Sequence, residues 1–266
     1  MGCERIQRDT GHDEPRVSRK GSRIVAPDPD HQCWVQPANA LAEYERAGSL
    51  FAVAMPGGDR AVAEPWRMAC SWLQAAGVEA PQALIEAAGA ERWRQVSEVA
   101  RAGVASPLTS SMGRLFDAVG ALCGLRSVVT YEGQAAVELE SAATSAGPAD
   151  RAYPLPFEGG TLDGRFTIEA VKEDLDAGAS AASVAARFHV GVARGTAEAC
   201  AHVAREAGLN CVVLSGGVFQ NRLLVELTVA ELRRRGLRVL LPERLPPNDG
   251  GIAYGQAAVA ASLKPQ

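Results

Sequence analysis

No stretch of the 266 residues stays apolar for the roughly 20 positions that a membrane-spanning helix needs. The opening Met1-Gly2-Cys3-Glu4-Arg5 runs into polar sequence with no apolar export core. Ile6 stands where a myristoylation signal wants Ser or Thr. The six cysteines include no C-x-x-C pair, so they read as free thiols of a reducing compartment. The cytoplasm is therefore the expected location. Cys70, Cys123, Cys200 and Cys211 lie in apolar patterns and are expected to be small buried hydrophobes. No sign of charge dominates: 27 Lys and Arg against 31 Asp and Glu leave a net charge of -4. That balance speaks against a nucleic-acid or membrane-surface binder. There is no internal repeat, Walker loop, H-E-x-x-H, G-x-S-x-G or full dinucleotide fingerprint. The four histidines (His12, His31, His189 and His202) form no ligand pair, and His189 reads as a satisfied helix histidine.

What is present describes a globular chain, 47% apolar and 22% charged. Residues 1–36 mix both charges with Gly, Pro and Ser and hold few large apolar side chains, so they are expected to be disordered or loosely attached. Residues 37–147 read as mainly helical. One helix is expected from Asp59 through Trp66, Met68, Trp72 and Leu73, with Pro65 in its first turn, and one or two more over 80–102. Thr109 or Ser110 is expected to cap a helix over 112–123 that Gly124 stops, and another helix covers 134–146. At Pro148 the character changes, and residues 148–266 read as an α/β subdomain. Tyr153, Leu155, Phe157, Leu162, Phe166 and Ile168 suggest a strand pair turning at Gly159-Gly160 and Asp163-Gly164. A long Ala-rich helix over 181–207 follows. The apolar run over 211–214 has the pattern of a strand buried on both faces, and with a helix over 221–235 and a strand over 237–241 it makes a βαβ unit. A last helix spans 252–263.

Ser215-Gly216-Gly217 falls at the C-terminal end of the first parallel strand, where open α/β sheets bind ligands. Glycines let a phosphate approach the backbone, and the next helix start offers unpaired N–H groups and a positive dipole end. Asn221 is expected in the first turn of that helix, its amide reaching a sugar or base. The same residues also fit a plain tight turn. Asp249, in Asn248-Asp249-Gly250-Gly251, lies at the same sheet edge, either as an N-cap of the last helix or as a ligand for a hard cation. Gly113 and Asp117 share a face of the 112–123 helix, where a solvated acid is the plain alternative. Tyr131-Glu132-Gly133-Gln134 is a turn into the next helix.

Taken together, four segments resemble one family in their order and wording: Ser106-Pro107-Leu108-Thr109-Ser110-Ser111-Met112-Gly113-Arg114-Leu115-Phe116-Asp117, Thr130-Tyr131-Glu132-Gly133-Gln134, Leu214-Ser215-Gly216-Gly217-Val218-Phe219-Gln220-Asn221 and Asn248-Asp249-Gly250-Gly251. Pro56-Gly57-Gly58-Asp59 and Glu64-Pro65-Trp66-Arg67-Met68 fit the same pattern. Residues 45–262 thereby resemble the C-terminal part of the HypF carbamoyltransferases of [NiFe]-hydrogenase maturation, itself similar to the tRNA threonylcarbamoyl transferase TsaD. The resemblance implies the C-terminal half of an actin-like, ribonuclease-H-like ATPase fold with an inserted helical segment. It implies ATP or carbamoyl-adenylate as ligand, with Asp117 and Gly133 on the ribose and adenine side. Gly216, Gly217 and Asn221, beside Ser215, would form the phosphate and ribose cradle, and Asp249 would be a carboxylate ligand of a divalent metal (Fe, Zn or Mg). Its implied partner is a HypE-like maturation protein, whose C-terminal cysteine receives the carbamoyl group that becomes cyanide on iron. The H-x-x-x-H pair and D-G-T-G loop of that family are missing from these residues, as are its acylphosphatase-like, zinc-finger-like and YrdC-like modules. The expectation is a partial carbamoyltransferase completed by a separate N-terminal half. A non-catalytic nucleotide-binding or docking module and an inactive truncated remnant are the alternatives, with a sugar kinase of the same superfold a more distant one.

Overall fold

The computed structural model describes residues 33–35, 38–39, 43–44 and 46–262. The expectation for residues 1–36 falls outside these, except for the short strand Cys33–Val35. In chain order the strands are β1 (Cys33–Val35), β2 (Ala38–Asn39), β3 (Glu43–Tyr44), β4 (Gly48–Leu50), β5 (Val53–Ala54), β6 (Leu108–Thr109), β7 (Phe157–Glu158), β8 (Thr161–Leu162), β9 (Cys211–Val213) and β10 (Arg238–Leu240). The α-helices are α1 (Arg60–Ala63), α2 (Trp66–Ala76), α3 (Gln82–Ala88), α4 (Ala90–Ala102), α5 (Met112–Leu122), α6 (Gln134–Ala146), α7 (Gly164–Asp176), α8 (Ala181–Ala207), α9 (Arg222–Arg234) and α10 (Ile252–Ser262). A four-stranded sheet runs β1-β4-β8-β7, in which only β4 and β8 are parallel. β9 and β10 make a separate two-stranded parallel sheet.

Helix α8 is the spine, with α6 and α9 packed along it. One apolar cluster extends from Leu50 to Leu232, and its largest fully buried side chains include Trp66, Trp72, Phe116 and Phe188. Side chains of this kind each contribute about 1.5–3 kcal/mol when removed from water. Segment 153–155 lies directly on α8, because a Cβ on Gly191 would stand 2.5 Å from the Tyr153 carbonyl oxygen and one on Gly195 would stand 2.6 Å from that of Leu155.

Three local expectations are corrected. The helix from Asp59 to Leu73 is two helices, because Glu64 precedes Pro65 and leaves the helical region (φ -125°, ψ 76°), as the proline ring demands. The strand pair exists, but only as β7 and β8 across Gly159-Gly160. Phe166 and Ile168 belong instead to α7, which Asp163 caps by accepting a hydrogen bond from the Arg165 N–H at 3.0 Å. Thr167, Ile168, Val171 and Asp174 are buried on its inner face, a helical spacing. Finally, β9 is not buried on both faces. Val212 and its register partner Val239 pack on the core, whereas Val213 (62% exposed) and its partner Leu240 (45%) face outward. Among the described residues this side of the pair is therefore open to solvent at Val213 and Leu240.

Candidate nucleotide site

The glycine turn and the Asp-Gly-Gly loop meet at the C-terminal edge of the β9–β10 pair. Leu214 N–H donates to Leu240 O (3.1 Å), continuing the ladder by one residue. Gly216 N–H then donates to Pro247 O at 2.6 Å, and Ser215 Oγ–H to the same oxygen at 3.4 Å. Gly216 has φ +105° and ψ 155°, a conformation essentially confined to glycine. A 3₁₀ turn over Gly217–Gln220 follows, then α9. Between these segments lies a groove of about 320 Å³ lined by Ser215, Gly216, Pro246, Asn248, Asp249 and Ile252, among others. Asn248, not Asp249, caps the last segment by accepting from Gly250 N–H (3.1 Å), which leaves the exposed Asp249 carboxylate outside the capping interaction.

Asn221 is the N-cap of α9 rather than a first-turn residue. Its Oδ1 accepts from Leu224 N–H at 2.7 Å, and the side chain is buried. The Glu140 carboxylate, reaching over from α6, accepts from Leu223 N–H at 3.1 Å. The N–H groups expected to be unpaired at this helix start are thus largely taken by the protein itself. Two acceptors offset the helix dipole there, so the start of α9 offers a ligand little, and in the preceding turn Gly216 N–H is likewise engaged, by Pro247 O.

Asp117 sits on α5 and is only 2% exposed. The Arg114 guanidinium stands 2.6 Å from its Oδ2, yet neither Arg114 Nη1 nor Asp117 Oδ2 has a hydrogen bond: the ions touch without alignment. Burial pushes the Asp117 carboxyl up to about 6, against the pull of Arg114 and with a small push from Glu132. The pair is buried on both sides, so each charge depends on the other for compensation, and removing one would leave the other buried and uncompensated. Arg114 also lies 3.8 Å from the exposed Glu132, next to Gly133, which has φ +82° and starts α6. Arg114 therefore ties Asp117 to the Tyr131-Glu132-Gly133 turn. Gly113 stands one turn ahead of Asp117, and a Cβ there would find only Ser111 Oγ, at 3.5 Å.

These two groups of residues are joined through the core. Helix α5 packs against the Gly217–Gln220 turn, and the Phe116 ring meets His189 edge-on, with ring centres 5.3 Å apart. His189 Nε2 lies 2.9 Å from Asn221 Nδ2. Burial lowers the His189 pKa to about 4, so the ring is neutral at physiological pH. The sequence alone does not mark Arg114, Glu132, Glu140 or His189 as site residues. Only the Arg114–Asp117 spacing of three carried a local signal; the Glu140 and His189 contacts bridge 83 and 32 residues. Asp249 is the single carboxylate lining the groove, and among the described residues no three His, Cys, Asp or Glu side chains gather. These residues do not fit a complete metal centre, which takes several protein donors.

Residues 38–256 match the family model described as carbamoyltransferase, Kae1-like domain, second subdomain. The carbamoyltransferase HypF of Rhizobium leguminosarum bv. viciae is 41% identical over 237 residues, which cover 88% of this chain and 29% of that protein. HypF2 of Cupriavidus necator is 35% identical over 283 residues, covering 96% and 35%. The crystal structure of a full-length HypF in its phosphate- and nucleotide-bound form is similar at a TM-score of 0.75 and 31% identity, over 82% of this chain and 29% of that one. That of T. kodakarensis HypF gives 0.72 and 27%, over 82% and 30%. The chain thus spans about a third of the length of these relatives and shares their actin-like, ribonuclease-H-like fold. It belongs to the HypF carbamoyltransferase family, within which it matches the second subdomain of the Kae1-like domain.

Proposed function

We propose that this chain is the nucleotide-binding half of a HypF-type carbamoyltransferase. The observation that carries the reading is the Gly216 N–H bond to Pro247 O, which closes the glycine turn and the Asn248-Asp249 loop around one groove at the C-terminal edge of a parallel strand pair. ATP or carbamoyl-adenylate is the ligand. Its phosphate lies against the backbone of Ser215, Gly216 and Gly217, with Asn221 close by, and its ribose and base lie toward Gly113, Asp117 and Gly133. A HypE-like protein presents a C-terminal cysteine, whose thiolate sulfur attacks the carbamoyl carbon. The bond to the adenylate phosphate oxygen breaks, AMP leaves with the electron pair, and a thiocarbamate remains. This chain's residues bind and orient the adenylate, and Asp249 supplies one carboxylate of a metal site. The remaining ligands and the adenylate-forming chemistry belong to the parts of a HypF-type protein that these residues do not include, and the reaction takes place in the cytoplasm. No helix among the described residues is long and apolar enough to cross a membrane.

Calorimetric titration with Mg and ATP tests the reading. Binding is expected with the chain alone, weakened by Asp117→Ala and Asn221→Ala. Carbamoyl transfer is expected only when the family modules that these residues do not include are supplied as well. A folded protein that takes up no nucleotide refutes the proposal, and nucleotide binding without transfer in the reconstituted mixture leaves a non-catalytic binding module.

A further inference from the structure

The side chain of Asn221 points into the protein, and both ends of its amide are engaged there. Oδ1 accepts from Leu224 N–H (2.7 Å), and Nδ2 lies 2.9 Å from His189 Nε2. The tautomer of His189 follows from its other contact. Nδ1 lies 2.8 Å from the Ala185 carbonyl oxygen, which can only accept, so Nδ1 carries the proton. Nε2 is then a lone pair and accepts from the Asn221 amide. An inverted amide would set its NH2 against Leu224 N–H and its oxygen against that lone pair, two repulsive contacts in place of two bonds. Phe116, next to Asp117, seats the imidazole from the α5 side.

We propose that His189 and Asn221 are positioning residues for the nucleotide: the neutral His189 locks the Asn221 cap and so sets the path of the Ser215–Gln220 turn, which meets the ligand through its backbone and not through the Asn221 side chain. This rests on the nucleotide reading above and deepens it. Direct contact and positioning make opposite statements about a double substitution. His189→Leu buries an Asn221 NH2 group with no acceptor, and Asn221→Ser keeps a capping oxygen but strands the His189 lone pair. Removing both partners together removes both mismatches, while the serine oxygen still caps α9.

The test is ATP affinity of the two single variants and the double variant, with thermal melts as a check on folding. Each single change is expected to weaken binding about tenfold, with His189→Gln, whose amide oxygen can replace Nε2, within about threefold of the parent. The double variant His189→Leu/Asn221→Ser should recover to within about threefold. A double variant no better than Asn221→Ser alone shows that the Asn221 amide touches the nucleotide, and overturns the proposal. Nitrogen-15 NMR of the imidazole gives a readout free of ligand: Nδ1 protonated and Nε2 bare is expected, and an Nε2–H tautomer overturns the lock. If the parent binds no nucleotide, the functional reading fails while the NMR result still judges the lock.

Discussion

Substituting Gly216 tests the cradle most directly, because its cost is purely conformational. At φ +105° and ψ 155° the residue occupies a region that L side chains rarely enter, yet a Cβ there would meet no atom within 4 Å. The turn is held at both sides, by Gly216 N–H on Pro247 O and by Phe219 N–H on Gly216 O at 3.0 Å. Gly216→Ala either keeps this geometry, at about 1–3 kcal/mol of backbone strain, or releases the turn. Strain that is kept lowers the melting temperature, by about 2–4 °C per kcal/mol for a chain of this size. A turn that is released costs affinity instead, about 5- to 150-fold for the same energy. Gly217 is the internal control: its φ is ordinary, and a Cβ there also meets nothing within 4 Å. Gly217→Ala should therefore melt like the parent and lose binding only if a ligand packs against that backbone. Calorimetry with Mg and ATP, run beside urea unfolding, measures both quantities. A Gly216→Ala protein that matches the parent in both would refute the assignment of this turn as a strained, ligand-facing cradle.

Three further outcomes follow from the geometry. Gly195→Ala should lower stability even though alanine gains about 1 kcal/mol of helix propensity, because its Cβ would lie 2.6 Å from Leu155 O; a raised melting temperature would mean that segment 153–155 yields freely. The Asp117 carboxyl should titrate near pH 6 in carbon-13 NMR. Since the folded state holds that proton more tightly than the ordinary value of 3.8, its contribution to stability is full below about pH 4 and is lost as pH rises through 6. The difference in stability between the parent and Asp117→Asn should accordingly change over this window and be flat above it. Glu140→Gln keeps an acceptor for Leu223 N–H but removes a charge from the positive end of α9. It should cost about 0.3–1 kcal/mol in urea unfolding while tightening ATP binding, and unchanged affinity would place the phosphates away from that helix end.

Much of this architecture is legible in the chain. Helices α6 and α8 begin and end where the sequence places them because Gly133 and Gly147, and Ser180 and Gly208, punctuate them with left-handed turns or caps. The glycine turn and the Asn248-Asp249 loop are legible because they close strands whose apolar runs are unmistakable. Helix α7 is not, since Phe166 and Ile168 extend the alternation of Tyr153 to Phe157, and only Asp163 marks the change of period. Nor are the Glu140 and His189 contacts, which bring together residues far apart in sequence and depend on how α6, α8 and α9 pack.

The outward side of β9 and β10 also grades the protein in time. Amide protons on α8, deep in the core, should exchange with solvent only through global unfolding, over the longest times the molecule allows. Those of the two-stranded pair have one packed face and few neighbours, so they should exchange through brief local openings, orders of magnitude sooner. The groove is built on that looser unit. Whatever comes to lie over Val213 and Leu240 would slow this exchange, and the degree of slowing would measure how firmly the cradle is closed.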